Sequence, residues 1–210
     1  MRPVAALLLA LAWTPGHAQS ELSFYQENDG YLFSSEEVVS TGDIKNSANT
    51  HSLEWGLDLC HDSAGAEQLV LVCIQSVTLA ADATATNTYA YFAVQSVSAT
   101  SSASVTVRIR GEAAAAGANP SETNSDISSR STTSAYVDWT PDAAVENGYL
   151  RTPDLSAIVT EIVAISGWAS GNRINLIFSH QSGSGTRTLW RAAPSWSCSP
   201  GPPSPRGSGV

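Results

Sequence analysis

Cysteine is scarce: Cys60, Cys73 and Cys198 are the three in 210 residues. That excludes a small scaffold held together by disulfides. Basic residues are few as well, 10 Lys+Arg against 19 Asp+Glu. Loss of an N-terminal leader carrying Arg2 leaves 9 against 19, a net charge of −10. Such a surface repels phosphate backbones and anionic headgroups, and no Lys/Arg cluster interrupts it, so no nucleic acid or anionic membrane is expected as a partner; no membrane insertion is expected either, on the lengths of the apolar runs. Long apolar runs are missing. The stretch from Val4 to Trp13 is only about half of the ~20 residues a membrane span needs, and no later segment is longer.

Catalytic spacings are missing too. His51, His61 and His180 fall in no HExxH or HxH pattern. SGSGT (182–186) lacks the strand-to-helix setting of a nucleophile elbow. No carboxylate pair is marked for glycoside cleavage. Cys60 and His61 are adjacent, and neighbouring residues of a strand point to opposite faces, so they form no nucleophile–base pair. The expectation is a protein that is not an enzyme.

What is present begins with MRPVAALLLALAWTPGHAQS. A basic start, a short apolar run and the small residues Gly16 and Ala18 make a secretory signal peptide over 1–18, cut after Ala18. The expected location is secreted, extracellular. In that oxidising setting Cys60–Cys73, close in sequence, is the expected disulfide. A tight hairpin over 61–66 would instead set Cys60 opposite about residue 67, and the bond would need another strand arrangement.

The body reads as strands. SLEWGLDL (52–59) alternates apolar and polar, as does TSAYVDWT (133–140). QLVLVCIQSVTL (68–79) is continuously apolar, as for a strand covered on both sides or one that bends. NTYAYFAVQSV (87–97), ASVTVRIRGEA (103–113) and NRINLIFSH (172–180) are rich in β-branched and aromatic residues. AAAAGANPSETNSD (113–126) is a turn-rich loop. One helix is expected, over 153–165. Leu155, Ile158, Val159, Ile162 and Val163 share a face, Thr152 stands as N-cap, Pro153 opens the first turn, and Gly167 stops it. So short a helix must lie on an open end or edge of a sheet, where it blocks strand-to-strand association. The fold class is all-β: a two-sheet antiparallel β-sandwich (jelly roll) with one short helix, over 19–190. A Pro/Ser/Gly-rich tail over 191–210 is expected to be disordered.

Seven motifs go further: RIRGEA (108–113), ISSR (127–130), VDWTP (137–141), TPDLSAIVTEIV (152–163), GWASGN (167–172), INLIF (174–178) and GSGTRT (183–188). In that order they resemble a secreted jelly-roll module of large extracellular proteins, related to the DNRLRE-type carbohydrate-binding-like modules. The match covers about 22–188 and is densest over 105–188. The resemblance implies a non-catalytic binding or adhesion module whose partner is glycan or an extracellular protein. The alternatives are a structural spacer or surface-assembly domain, or an ancillary fragment of a secreted enzyme. Two departures stand out. Ala143 and Ala144 occupy the place where such modules carry a second Trp. After GSGTRT the chain runs into LWRAAPSWSCSP, without the closing apolar strand, which would leave a sheet edge unpaired.

No cofactor is expected, with Ca²⁺ as a possible ion. QENDGYLFSSEEV (26–38) gathers oxygen donors, of which Asn28, Asp29, Glu36 and Glu37 are the candidates. The competing reading is an acidic, solvated strand and turn without the spacing of a dedicated calcium loop. Trp55 and Trp139 alternate with core residues and are expected inside, with Trp168 packed at the helix end. Tyr89, Tyr91 and Tyr136 are candidates for an exposed strip. Arg130, Arg151 and Arg187 are expected to fix loops through Asp138, Asp154 or Glu161.

Overall fold

The computed structural model describes residues 22–25, 34–47, 57–62, 64–98, 103–142 and 146–190. Residues 1–18, expected to be a signal peptide, lie outside them, as do Asn28, Asp29, His51, Trp55, Ala143, Ala144 and the 191–210 tail. The strands are β1 (Leu22–Tyr25), β2 (Ser34–Val38), β3 (Ile44–Ser47), β4 (Leu57–Leu59), β5 (Gln68–Ile74), β6 (Thr88–Ser98), β7 (Val105–Glu112), β8 (Thr132–Trp139), β9 (Glu146–Arg151), β10 (Ile174–Gly183) and β11 (Arg187–Trp190). The helix, α1, is Ser156–Val163.

They form a two-sheet β-sandwich. One sheet runs β3-β2-β5-β10-β7-β8; the other runs β1-β6-β11-β4, with β9 also paired to β6. Among the described residues all pairings are antiparallel but one, β1 lying parallel to β6. Any closing strand beyond GSGTRT would fall after Trp190, outside the described residues, but the end of that motif already forms a strand. Arg187–Trp190 inserts between β6 and β4, and it escaped notice because four residues are too few to show alternation.

The core sits between the sheets because the strand period points every second side chain inward. Val105, Val107 and Ile109 of β7 and Leu176 and Phe178 of β10 meet Leu57 and Leu59 of β4, Ala90 of β6 and Leu150 of β9. Trp139 closes this core beside Phe178, the ring centroids 6.4 Å apart. β5 is covered on both faces, as its continuous apolar run predicts. Val70 and Val72 enter the main core, while Leu71 and Cys73 pack outward under Ile127. Ile127 belongs to ISSR, so that motif plugs the outer face of the larger sheet.

The helix begins later than its sequence signals suggest, with Leu155 at the cap position and no side-chain cap. Thr152, the expected N-cap, is engaged elsewhere, and Asp154 serves both β6 and the first helical amide, that of Ser156 (2.9 Å). Thr152 Oγ1 accepts the Ala90 N–H at 3.0 Å, and Asp154 Oδ1 accepts the Thr88 N–H at 2.9 Å. These bonds pin the helix entry to the start of β6. Ile158, Val159, Ile162 and Val163 are buried in the main core, against Gly111 of β7, where a Cβ would strike both isoleucines. Glu161 reaches the edge strand and accepts the N–H groups of Ser134 (2.7 Å) and Ala135 (2.8 Å). The helix thus covers the β8 edge, the position argued for it from its length. Trp168, at the helix end, is buried and donates Nε1–H to Leu79 O at 3.0 Å.

Candidate functional site

Two places on the surface of the larger sheet combine chemistry with access. The first is the outer face of β7 and β8. Their register sets Arg108 opposite Asp138 and Arg110 opposite Tyr136. Arg108 grips Asp138 with both arms, Nε to Oδ1 at 2.8 Å and Nη2 to Oδ2 at 2.9 Å. That bond holds the Asp138 carboxyl below the usual carboxylate range. The Arg108 guanidinium stacks 3.9 Å from the Tyr136 ring centroid, with Arg110 at 5.0 Å. Tyr136 nonetheless remains 48% exposed. Tyr89 lies on β6, in the other sheet, under Arg151 at 4.7 Å, so the tyrosines do not form one strip. The side chain of Tyr91 is outside the described residues.

The second place is the turn joining β4 to β5. Cys60 has a left-handed backbone (φ 81), which swings the chain out of β4. The 62–66 turn is then locked by Asp62, whose Oδ1 accepts the N–H groups of Ala64 (2.9 Å) and Ala66 (2.8 Å), with Gly65 at φ 84. Burial works against ionisation of Asp62. Its ion pair with Lys45 and the two amides outweigh that and lower its pKa. The turn sets His61 across a bridge from Glu67. Antiparallel pairing of β10 with β5, Phe178 opposite Val70, carries His180 to the same end. One donor atom from each of His61, Glu67 and His180 lies within 4.8 Å of the others. The imidazoles meet edge to face, centroids 4.6 Å apart. His180 Nδ1 is 4.0 Å from Glu67 Oε2, and its Nε2 is bonded to Gly183 O at 2.8 Å. Short sequence spacings cannot reveal this cluster, because strand register across two connections assembles it.

The expected disulfide is not formed. Cys60 and Cys73 are both free, buried thiols, and burial pushes each up to about 12. Cys60 faces the main core; Cys73 faces the outer cluster with Ile127. The tight 61–66 turn sets Cys60 opposite Gln68, whose N–H it accepts at 2.7 Å, so the two thiols fall on opposite faces of the sheet.

Glu36 and Glu37 are not brought together for calcium. Both are buried in β2 and, as strand neighbours, diverge. Glu36 Oε1 accepts the Asp58 N–H, while Glu37 Oε2 accepts those of Ile127 (2.6 Å) and Ser128 (2.9 Å). They serve as internal ties, one toward each face of the sheet.

Arg130 and Arg187 fix loops, through other partners than those expected, while Arg151 packs on a strand residue. Arg130 binds Glu112 (3.0 Å), Asp126 (2.8 Å) and the carbonyls of Ala118 and Asn119. Buried Arg187 donates to Pro141 O, Thr186 O and Ala103 O. Arg151 lies over Tyr89.

No family model, curated protein or solved structure matches the chain. Among the described residues no helix is long and apolar enough to cross a membrane.

Proposed function

We propose that the chain is a secreted, non-catalytic binding or adhesion module, and that its ligand class is glycan. The observation that carries this reading is the β7–β8 face: Tyr136, 48% exposed, flanked by Arg108 and Asp138. An exposed aromatic ring beside paired hydrogen-bonding groups suits the apolar faces and hydroxyls of a sugar. The rigid strand pair orders these groups before binding, so little entropy is lost on contact. The motif resemblance to carbohydrate-binding-like jelly rolls supports the same class.

A second reading, a spacer or surface-assembly domain, is favoured by the internal use of the motif residues. Arg130, Thr152, Asp154 and Trp168 all bond within the chain. The mature protein is to be tested on immobilised polysaccharides and a glycan array, with Tyr136→Ala and Arg108→Ala beside it. The expected result is retention without new reducing ends, lost in Tyr136→Ala at unchanged melting temperature. Cleavage products that vanish when one Asp or Glu is changed to Ala would place the protein among enzymes. The absence of both retention and cleavage would overturn the glycan reading and favour the spacer.

A further inference from the structure

We propose that His61, Glu67 and His180 form a binding site for a divalent transition-metal ion of the zinc type. Two imidazoles and one carboxylate make an N,N,O donor set, which suits zinc and its first-row neighbours and not calcium, a cation that takes oxygen ligands. Three features of the site support this beyond the composition of the cluster.

The first is tautomer control. His180 holds its Nε2 against the Gly183 carbonyl at 2.8 Å, which makes that nitrogen the N–H donor. The Nδ1 lone pair is thereby turned toward Glu67 Oε2, 4.0 Å away. A backbone carbonyl behind the ring is the usual support of a metal-ligating histidine.

The second is His61, whose Nδ1 is buried and has no hydrogen-bond partner among the described residues. A buried ring nitrogen without a partner loses its hydration for nothing in return, and a metal ion is one group that compensates it.

The third is backbone rigidity. The 62–66 turn is tied by Asp62, His61 is bridged to Glu67, and the Glu67 carbonyl accepts the Val39 N–H at 2.9 Å. The donor atoms already lie within 4.8 Å of one another. Bonds of about 2.0–2.2 Å in a tetrahedron require donors about 3.4 Å apart, so at most about 1.4 Å of closure remains. The Glu67 side chain, 41% exposed, has the freedom to supply it. Three protein ligands leave a fourth position for water or for an oxygen donor from outside the chain.

The test uses the untagged mature chain, stripped with a chelator and titrated with Zn²⁺ by calorimetry and with Co²⁺ by visible absorption. The expected result is one saturable ion per chain, a tetrahedral Co²⁺ spectrum and no competition from Ca²⁺. Glu67→Gln, His61→Ala and His180→Ala should each weaken Zn²⁺ binding by at least about ten-fold, as loss even of an outer-shell partner does. Zn²⁺ should raise the melting temperature of the native chain more than that of Glu67→Gln. Glu67→Gln alters a partly exposed side chain and keeps its shape, so it decides the matter even where a histidine variant fails to fold. Absence of saturable binding, or unchanged affinity in Glu67→Gln and His180→Ala, would overturn the site.

Discussion

Arg130 shows how one side chain can fasten a loop. Its guanidinium, 7% exposed, joins Glu112 on β7 to Asp126 and to two carbonyls of the 113–126 loop. Burial lowers its pKa, but the acidic partners outweigh this and raise it. Breaking so enclosed a pair leaves carboxylates without their cation, and Arg130→Ala should cost about 3 kcal/mol in urea unfolding. Arg130→Lys should recover little, because an ammonium cannot reproduce the fork. The cysteines make a second prediction at this scale. With pKa values near 12 and both thiols buried, Cys60 and Cys73 should resist iodoacetamide in the folded protein. Both should be alkylated after unfolding without reductant; recovery of a Cys60–Cys73 disulfide by mass spectrometry would contradict the sheet geometry.

The helix is the element on which packing and electrostatics are most easily separated. Ile162 is fully buried, and Ile162→Asp should destabilise by more than about 3 kcal/mol, since an unpaired charge would enter the core. The approach to Gly111 gives a finer test. Gly111→Ala overpacks against Ile158 and Ile162 and should cost about 1–3 kcal/mol. Ile162→Val in the same chain should return part of that loss, a coupling readable from a double-mutant cycle. Acid acts on the helix ends. Burial pushes the Asp154 and Glu161 carboxyls up, but hydrogen bonds outweigh it. Ser156 and the Thr88 amide do so at Asp154, the Ala135 and Ser134 amides at Glu161, and both pKa values end below the ordinary range. Their stabilisation is complete above the unfolded values of about 4 and is lost as pH falls through the lower folded values. Unfolding curves recorded from pH 6 downward should show this acid loss, and the double variant Asp154→Asn, Glu161→Gln should flatten it.

Across the molecule, one continuous core joins both sheets and the helix, so heat should unfold the described body in a single cooperative transition. β11 is the strand on which that unity depends, being hydrogen-bonded to β6 on one side and β4 on the other. It also brings the Arg187 guanidinium to the Pro141 and Ala103 carbonyls. A chain ending at Gly185 should lose the cooperative transition in calorimetry, because two strands would face water with unpaired amides.

Local pattern was legible where a periodicity lasts long enough to be read. The strands at 68–74, 88–98, 105–112 and 132–139, and the apolar face of α1, announce themselves through alternation or helical spacing. These features depend on neighbours along the chain, which the sequence holds in full. Tertiary structure decided everything that depends on register. It inserted the four residues of β11 between two strands, divided Cys60 from Cys73, and turned Glu36 and Glu37 into internal ties. It moved Thr152 from the helix cap to the Ala90 amide of β6. It brought His180 to His61 and Glu67. A shift of one residue in any pairing turns a side chain to the opposite face, so these contacts are fixed only when the sheets close on a common core.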